Sequence, residues 1–131
     1  MEEFLAVDLG SARVGLARGN TAARLAEPLA TLPAAQADEE IKRIAQEHKA
    51  AGIVVGLPRS LDGRETEQTK LVRQWVGHMK TLVKLPFYWQ DEALTSRTAE
   101  RQPSAAGADA GAAAIILQDF LDTDENDRVS A

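Results

Sequence analysis

Residues 4–32 carry three short apolar runs broken by turn residues, and beyond residue 37 the apolar positions recur at helical spacing. A period near two marks strands and a period near 3.6 marks helices. A chain that opens on strands and then alternates helix with strand is confined to the α/β class, with a parallel arrangement in its second half. "FLAVDLG" and "RVGLARG" read as a hairpin whose turn, Leu9 to Ala12, contains the permissive Gly10. "RLAEPLATL" reads as a third strand, with Pro28 tolerable at an edge or a bulge.

A helix is expected next, with Asp38 as its N-cap and Ile41, Ile44, Ala45 and His48 on one stripe. "IVVG" is short and continuously apolar, as a strand buried on both faces should be. After the loop "LPRSLDGRE", a helix over 65–84 should turn Leu71, Val72, Trp75, Val76, Met79, Leu82 and Val83 inward. "PFYWQ" is the next strand, a short helix is expected over 96–102, and the small-residue-rich "AGADAGAAAIILQDFL" forms the last helix. The order β-β-β-α-β-α-β-α predicts a five-stranded mixed sheet: a three-stranded antiparallel meander plus two parallel strands, flanked by helices. One domain over 1–121 is expected, followed by an acidic, disordered tail over 122–131.

Composition narrows the chemistry. With no cysteine there is no disulfide, thiolate metal site or thiol nucleophile. The opening "MEEFLAVD" lacks a basic leader, and no apolar run approaches the ~20 residues of a membrane span. A cytoplasmic protein with no membrane partner is expected. The net charge of −5 is concentrated in the last ten residues, which hold four acids and one arginine. Ten of the fifteen basic residues are arginine, several at strand ends or in loops. A local basic patch is compatible with this distribution; a strongly basic face is not.

Three acids stand in apolar surroundings: Asp8 at the end of the first strand, Glu92 (after Asp91) beyond "FYW", and Asp109 at the start of the last helix. Asp109 shares a helical face with Ala112, Ala113, Ile116 and Phe120. An uncompensated carboxylate there carries a desolvation cost. If the first strand and the "FYW" strand are neighbours, Asp8, Glu92 and Asp109 converge, and clustered carboxylates repel unless a cation sits among them. Hard cations such as Mg²⁺ or Mn²⁺ take such ligands, and a pair of ions ~4 Å apart suits phosphodiester hydrolysis. Each acid also has an ordinary reading. Asp8 can cap a turn, Asp91-Glu92 can be a solvated strand end, and Asp109 can be a helix N-cap. His48 and His78 read as surface or packing residues, and Trp75 and Trp89 as core.

Four motifs in order carry a resemblance: "DLGSARVGLA" with Asp8, Gly10, Arg13, Gly15 and Ala17; "VGLPRSLDGRE"; "DEALTS"; and "DAGAAAIIL". From about Phe4 to Leu121 the chain resembles the YqgF/RuvX family of RNase H-like nucleases, described as Holliday junction resolvases and as nucleases maturing the 5′ end of pre-16S rRNA. The resemblance implies an RNase H-like fold and a metal-dependent phosphodiesterase. It implies Asp8, Glu92 and Asp109 as metal-binding catalytic acids, holding Mg²⁺ or Mn²⁺, two ions in all. It further implies Arg13, Arg59 and Arg64 as substrate contacts. The chain departs from the family between the third and fourth motifs. Only sixteen residues separate Glu92 from Asp109, with Arg97 and Arg101 their only basic residues and no lysine before Asp109. A flexible RNA asks less of so short a segment than branched DNA does, so an rRNA precursor is the expected substrate, with a monomer or weak homodimer as the acting form. A Holliday junction resolvase is the nearest alternative. A sugar-kinase or actin-like ATPase also opens on Asp-x-Gly but needs two such domains. A non-catalytic RNA-binding assembly factor has no use for three mutually repelling acids.

Overall fold

The computed structural model describes residues 1–59, 62–93 and 109–131, except for the side chains of Arg59, Glu92 and Ala93. The elements are β1 (Glu3–Leu9), β2 (Arg13–Asn20), β3 (Ala26–Pro33), α1 (Ala34–Glu47), β4 (Gly52–Arg59), α2 (Glu67–Leu82), β5 (Phe87–Ala93), α3 (Ala110–Asp122), a 3₁₀ turn (Glu125–Asp127) and β6 (Val129–Ser130). They build one mixed sheet of six strands in the order β3-β2-β1-β4-β5-β6. β1, β2 and β3 form the antiparallel meander, while β4 runs parallel to both β1 and β5. The helix expected over 96–102 lies outside the described residues.

Strand alternation sorts side chains onto two faces. Leu5, Val7, Leu16, Ile53, Val55, Leu57 and Phe87 pack with Ile41 and Ile44 of α1 and Val72, Val76 and Met79 of α2. Phe4, Ala6, Ala17 and Val54 pack on the other face against Ala113, Ile116, Leu117, Phe120 and Leu121 of α3. β4 is covered on both sides, as its unbroken apolar sequence requires. It also lies between β1 and β5, so those two strands are not neighbours as the expected convergence supposed. Pro28 sits on edge strand β3 where the register slips opposite Leu16 and Ala17, so it meets both conditions for a proline in a sheet.

Three other expectations are corrected. Asp38 is not the cap of α1, which begins four residues earlier, directly after Pro33. Pro33 presets an extended entry, and Asp38 is left to bridge helices: Trp75 Nε1 donates to its Oδ1 at 3.0 Å, and His78 Nε2 lies 3.2 Å from its Oδ2. Leu71 is 56% exposed rather than inward, because Thr69 takes that place on the buried stripe of α2. Thr69 closes a capping box with Thr66, and its hydroxyl donates to the Pro58 carbonyl on β4. The stretch 122–131 was expected to be disordered but forms the 3₁₀ turn and β6, which pairs antiparallel with β5. Its anchor is Arg128, whose guanidinium lies 5.2 Å from the Phe4 ring centroid and 4.8 Å from that of Phe120. A count of acids did not reveal that the one arginine among them has an aromatic seat.

α3 approaches the sheet most closely at Gly15. A Cβ built there would lie 1.9 Å from the Asp109 carbonyl oxygen and 2.8 Å from the Ala110 nitrogen. No side chain fits, so the helix start rests on bare backbone. Gly15→Ala should therefore push α3 off β2, at ~1–3 kcal/mol or more for overpacking. The urea midpoint should fall, and a midpoint equal to wild type would refute this contact. Thr69→Val keeps the volume but strands the Pro58 carbonyl and the Thr66 N–H. A loss of ~1–3 kcal/mol is expected, read as a lower midpoint at unchanged m-value.

Candidate active site

Asp8 lies in the last turn-ward part of β1, paired with Gly15 of β2. It follows Phe4 and Ala6 in the alternation, so it belongs to the α3 face, and it is only 7% exposed. Its neighbourhood is built by the tight turn after β1, where Gly10 N donates to Arg13 O at 3.0 Å. α2 braces the same strand end, with Gln68 Nε2 donating to the Leu9 carbonyl at 3.3 Å.

Asp109 reaches this place because its own backbone covers Gly15, the cross-strand partner of Asp8. Paired residues across an antiparallel ladder have Cα atoms about 4.5–5.5 Å apart, so the α3 start and Asp8 share one small volume. Asp109 is the N-cap of α3: its Oδ1 accepts from Ala112 N at 2.7 Å. The ordinary reading of Asp109 as a cap is thus correct, and it coexists with a place beside Asp8, since a carboxylate has a second oxygen. A further bond fixes the helix start, with Ala110 N donating to Thr31 Oγ1 of β3 at 3.0 Å. Thr31 was not among the expected site residues. Small residues at alternate positions 15, 17 and 19 of β2 were the available sign of a close helix approach.

The backbone of Glu92 pairs with Pro58 of β4, two positions beyond the Gly56–Gln90 pair. β1 and β4 are in register at Val7 and Val55, which puts Asp8 level with Gly56. Asp91 has the strand alternation of Phe87 and Trp89, which pack at the face opposite α3. Between Asp8 and the end of β5 the sheet therefore carries Gly56, which has no side chain. The Pro58 carbonyl held by Thr69 belongs to this same strand end.

The three arginines fare differently. Arg13 starts β2, is exposed, and shares the alternation of Gly15, two residues away or ~7 Å along the strand. Arg59 ends β4, with its side chain outside the described residues. Arg64 is exposed in the loop before α2, where its Nε lies 2.6 Å from Asp62 Oδ2. Among the described residues there is no group of three His, Cys, Asp or Glu side chains placed to hold one ion. The side chain of Glu92 is outside that set.

The model of the family described as "RuvX: Holliday junction resolvase" matches residues 2–123. A protein of Roseiflexus sp. (strain RS-1) named "Putative pre-16S rRNA nuclease" is 36% identical, over 91% of this chain and 93% of its own length. Proteins of the same name from Thiobacillus denitrificans and Neisseria gonorrhoeae are each 38% identical, over 90% of this chain and 90% and 86% of theirs. Among solved structures, Thermus thermophilus RuvC is similar in fold, with a TM-score of 0.63 and 12% sequence identity, covering 98% of this chain and 99% of that one. The same protein in complex with a Holliday junction substrate gives a TM-score of 0.62 with full coverage of both chains. The architecture is RNase H-like, with a sixth strand, β6, beyond the five expected. By its sequence over almost its whole length, this chain belongs to the RuvX family.

Proposed function

We propose that this chain is a divalent-metal-dependent nuclease that hydrolyses phosphodiester bonds in an rRNA precursor at the 5′ end of pre-16S rRNA, with Asp8, Glu92 and Asp109 as its catalytic acids. The observation that carries this reading is the seat of Asp109 on Gly15, directly across the ladder from the buried Asp8. A buried carboxylate with a second acid's backbone seated on its ladder partner offers hard oxygen donors to a cation. The curated relatives' shared name supports the substrate.

The donor set fits Mg²⁺ or Mn²⁺: all three candidates are carboxylates, the hard oxygen donors these ions prefer. When bound, two such ions supply Lewis acidity at the scissile phosphate and a more acidic water. The chain's own residues supply position. Asp8 is held by the sheet and Asp109 by its cap bond to Ala112 and the Gly15 contact. Glu92 stands at the end of β5, whose neighbour β4 is tied down by Thr69. Arg13, exposed on the same face, neutralises phosphate charge and orients the strand. Arg59 and Arg64 contact the backbone farther along, Arg64 exchanging Asp62 for phosphate.

Asp8→Asn should lower cleavage of a pre-16S rRNA fragment by at least ~10²-fold, in line with loss of a main electrostatic contributor. The melting temperature should hold or rise, because a repulsion is removed. Cleavage by Asp8→Asn at the wild-type rate in Mn²⁺ would falsify the assignment. The family's description favours one second reading, a Holliday junction resolvase acting as a homodimer on two opposed strands. Sizing with and without a four-way junction separates the two, since only the resolvase needs a junction-bound dimer.

A further inference from the structure

β6 is two residues long and pairs only with Tyr88 and Trp89 of β5. Beyond it, at the outer edge of β5, lies a notch of ≈ 450 Å³ lined in part by Arg73, Trp89, Gln90, Asp91, Asp127 and Arg128. That is within the range of small-molecule clefts, roughly 300–1,000 Å³. None of its residues belongs to the three-acid site. It is close to that site's strand nonetheless: Asp91 precedes Glu92 by one strand step, ~3.4 Å.

The lining has an unusual balance. Two cations, Arg73 and Arg128, are matched by two acids, Asp91 and Asp127, so the notch is formally neutral. A phosphate gains nothing from such a lining. A flat neutral heterocycle with polar edges does. Arg73 is laid out for stacking: Glu65 holds it in a two-pronged bridge, Nε to Oε1 at 3.0 Å and an Nη to Oε2 at 2.8 Å. Its guanidinium carbon lies 5.3 Å from the centroid of the Trp89 ring. Guanidinium planes and indole rings are both platforms on which unstacked bases settle. Carboxylates at the rim accept from the amino or imino groups that base edges offer.

We propose that this notch is a nucleobase-binding subsite, in which one base of a single-stranded substrate stacks on the Arg73–Trp89 pair and turns its donor edge to Asp91 and Asp127. The proposal rests on the nuclease reading for its substrate. It deepens that reading by naming what is gripped: a base splayed from the strand as its backbone crosses the edge of β5. It also selects single-stranded over duplex nucleic acid, because a paired base has no free face to give.

The test uses fluorescence. The chain has two tryptophans, so Trp75→Phe leaves Trp89 as the sole emitter. In an Asp8→Asn background, titration with a single-stranded oligoadenylate RNA should quench that emission saturably. An oligonucleotide of equal length made of abasic sugars should quench little and bind about tenfold more weakly, since it has no base to stack. Measured by anisotropy with labelled RNA and native Trp75, Trp89→Ala and Arg73→Met should each lose about tenfold in affinity, and Trp89→Phe should stay within about threefold of the parent. Equal binding of abasic and normal RNA, unchanged affinity in Trp89→Ala, or no saturable binding overturns the subsite. Cleavage by the native-acid enzyme separates the two readings. Normal cleavage with base-independent binding sinks the subsite alone. Base-dependent quenching with no cleavage under any divalent metal sinks the nuclease alone.

Discussion

Everything in this molecule that concerns the candidate site depends on one contact, the backbone of Asp109 lying on the bare Cα of Gly15. It sets how close α3 comes to the sheet, and hence how deep Phe120, Leu117 and Ile116 sit against Phe4, Ala6 and Val54. It also sets the distance between two carboxylates from opposite ends of the chain. Stability and chemistry are thereby coupled at a single position. The apolar burial of α3, spread over a whole helix face, holds the Asp109 backbone on Gly15, the ladder partner of Asp8.

The remaining supports act on strand ends rather than on the acids themselves. Thr69 reaches from α2 to the Pro58 carbonyl, Gln68 to that of Leu9, and Thr31 to the first N–H of α3. Each satisfies a backbone group that would otherwise be stranded where regular structure ends. Together they make the C-terminal ends of β1 and β4 and the start of α3 one rigid frame, the placement expected of a site in a parallel sheet.

Much of this was legible in the sequence. The period change, the unbroken apolarity of "IVVG" and the small residues of "DAGAAAIIL" led to the right layers and to the correct helix faces for Ile41, Val76 and Phe120. The first acid and the last were chosen by the cost of burying charge, and they do share a face. What escaped detection was non-local. Asp38 has the chemistry of a cap, yet a proline five residues earlier starts the helix and a tryptophan 37 residues away takes its carboxylate. Leu71 has the hydrophobicity of a core residue, but Thr69, two residues earlier, faces the sheet, and helical spacing then turns Leu71 outward. The tail is acidic enough to suggest disorder, and a single arginine on two phenylalanine rings outweighs that. The sheet order placed β4 between the two acid-bearing strands, which spacing along the chain does not encode.

The two outer strands bear on how this protein can meet others. β3 carries prolines at both 28 and 33, and β6 offers only two residues of ladder. Neither outer edge presents a run of backbone donors and acceptors long enough to template another chain. Prolines on β3 and the shortness of β6 thus act as guards, making both outer strands poor templates for sheet extension by a second chain.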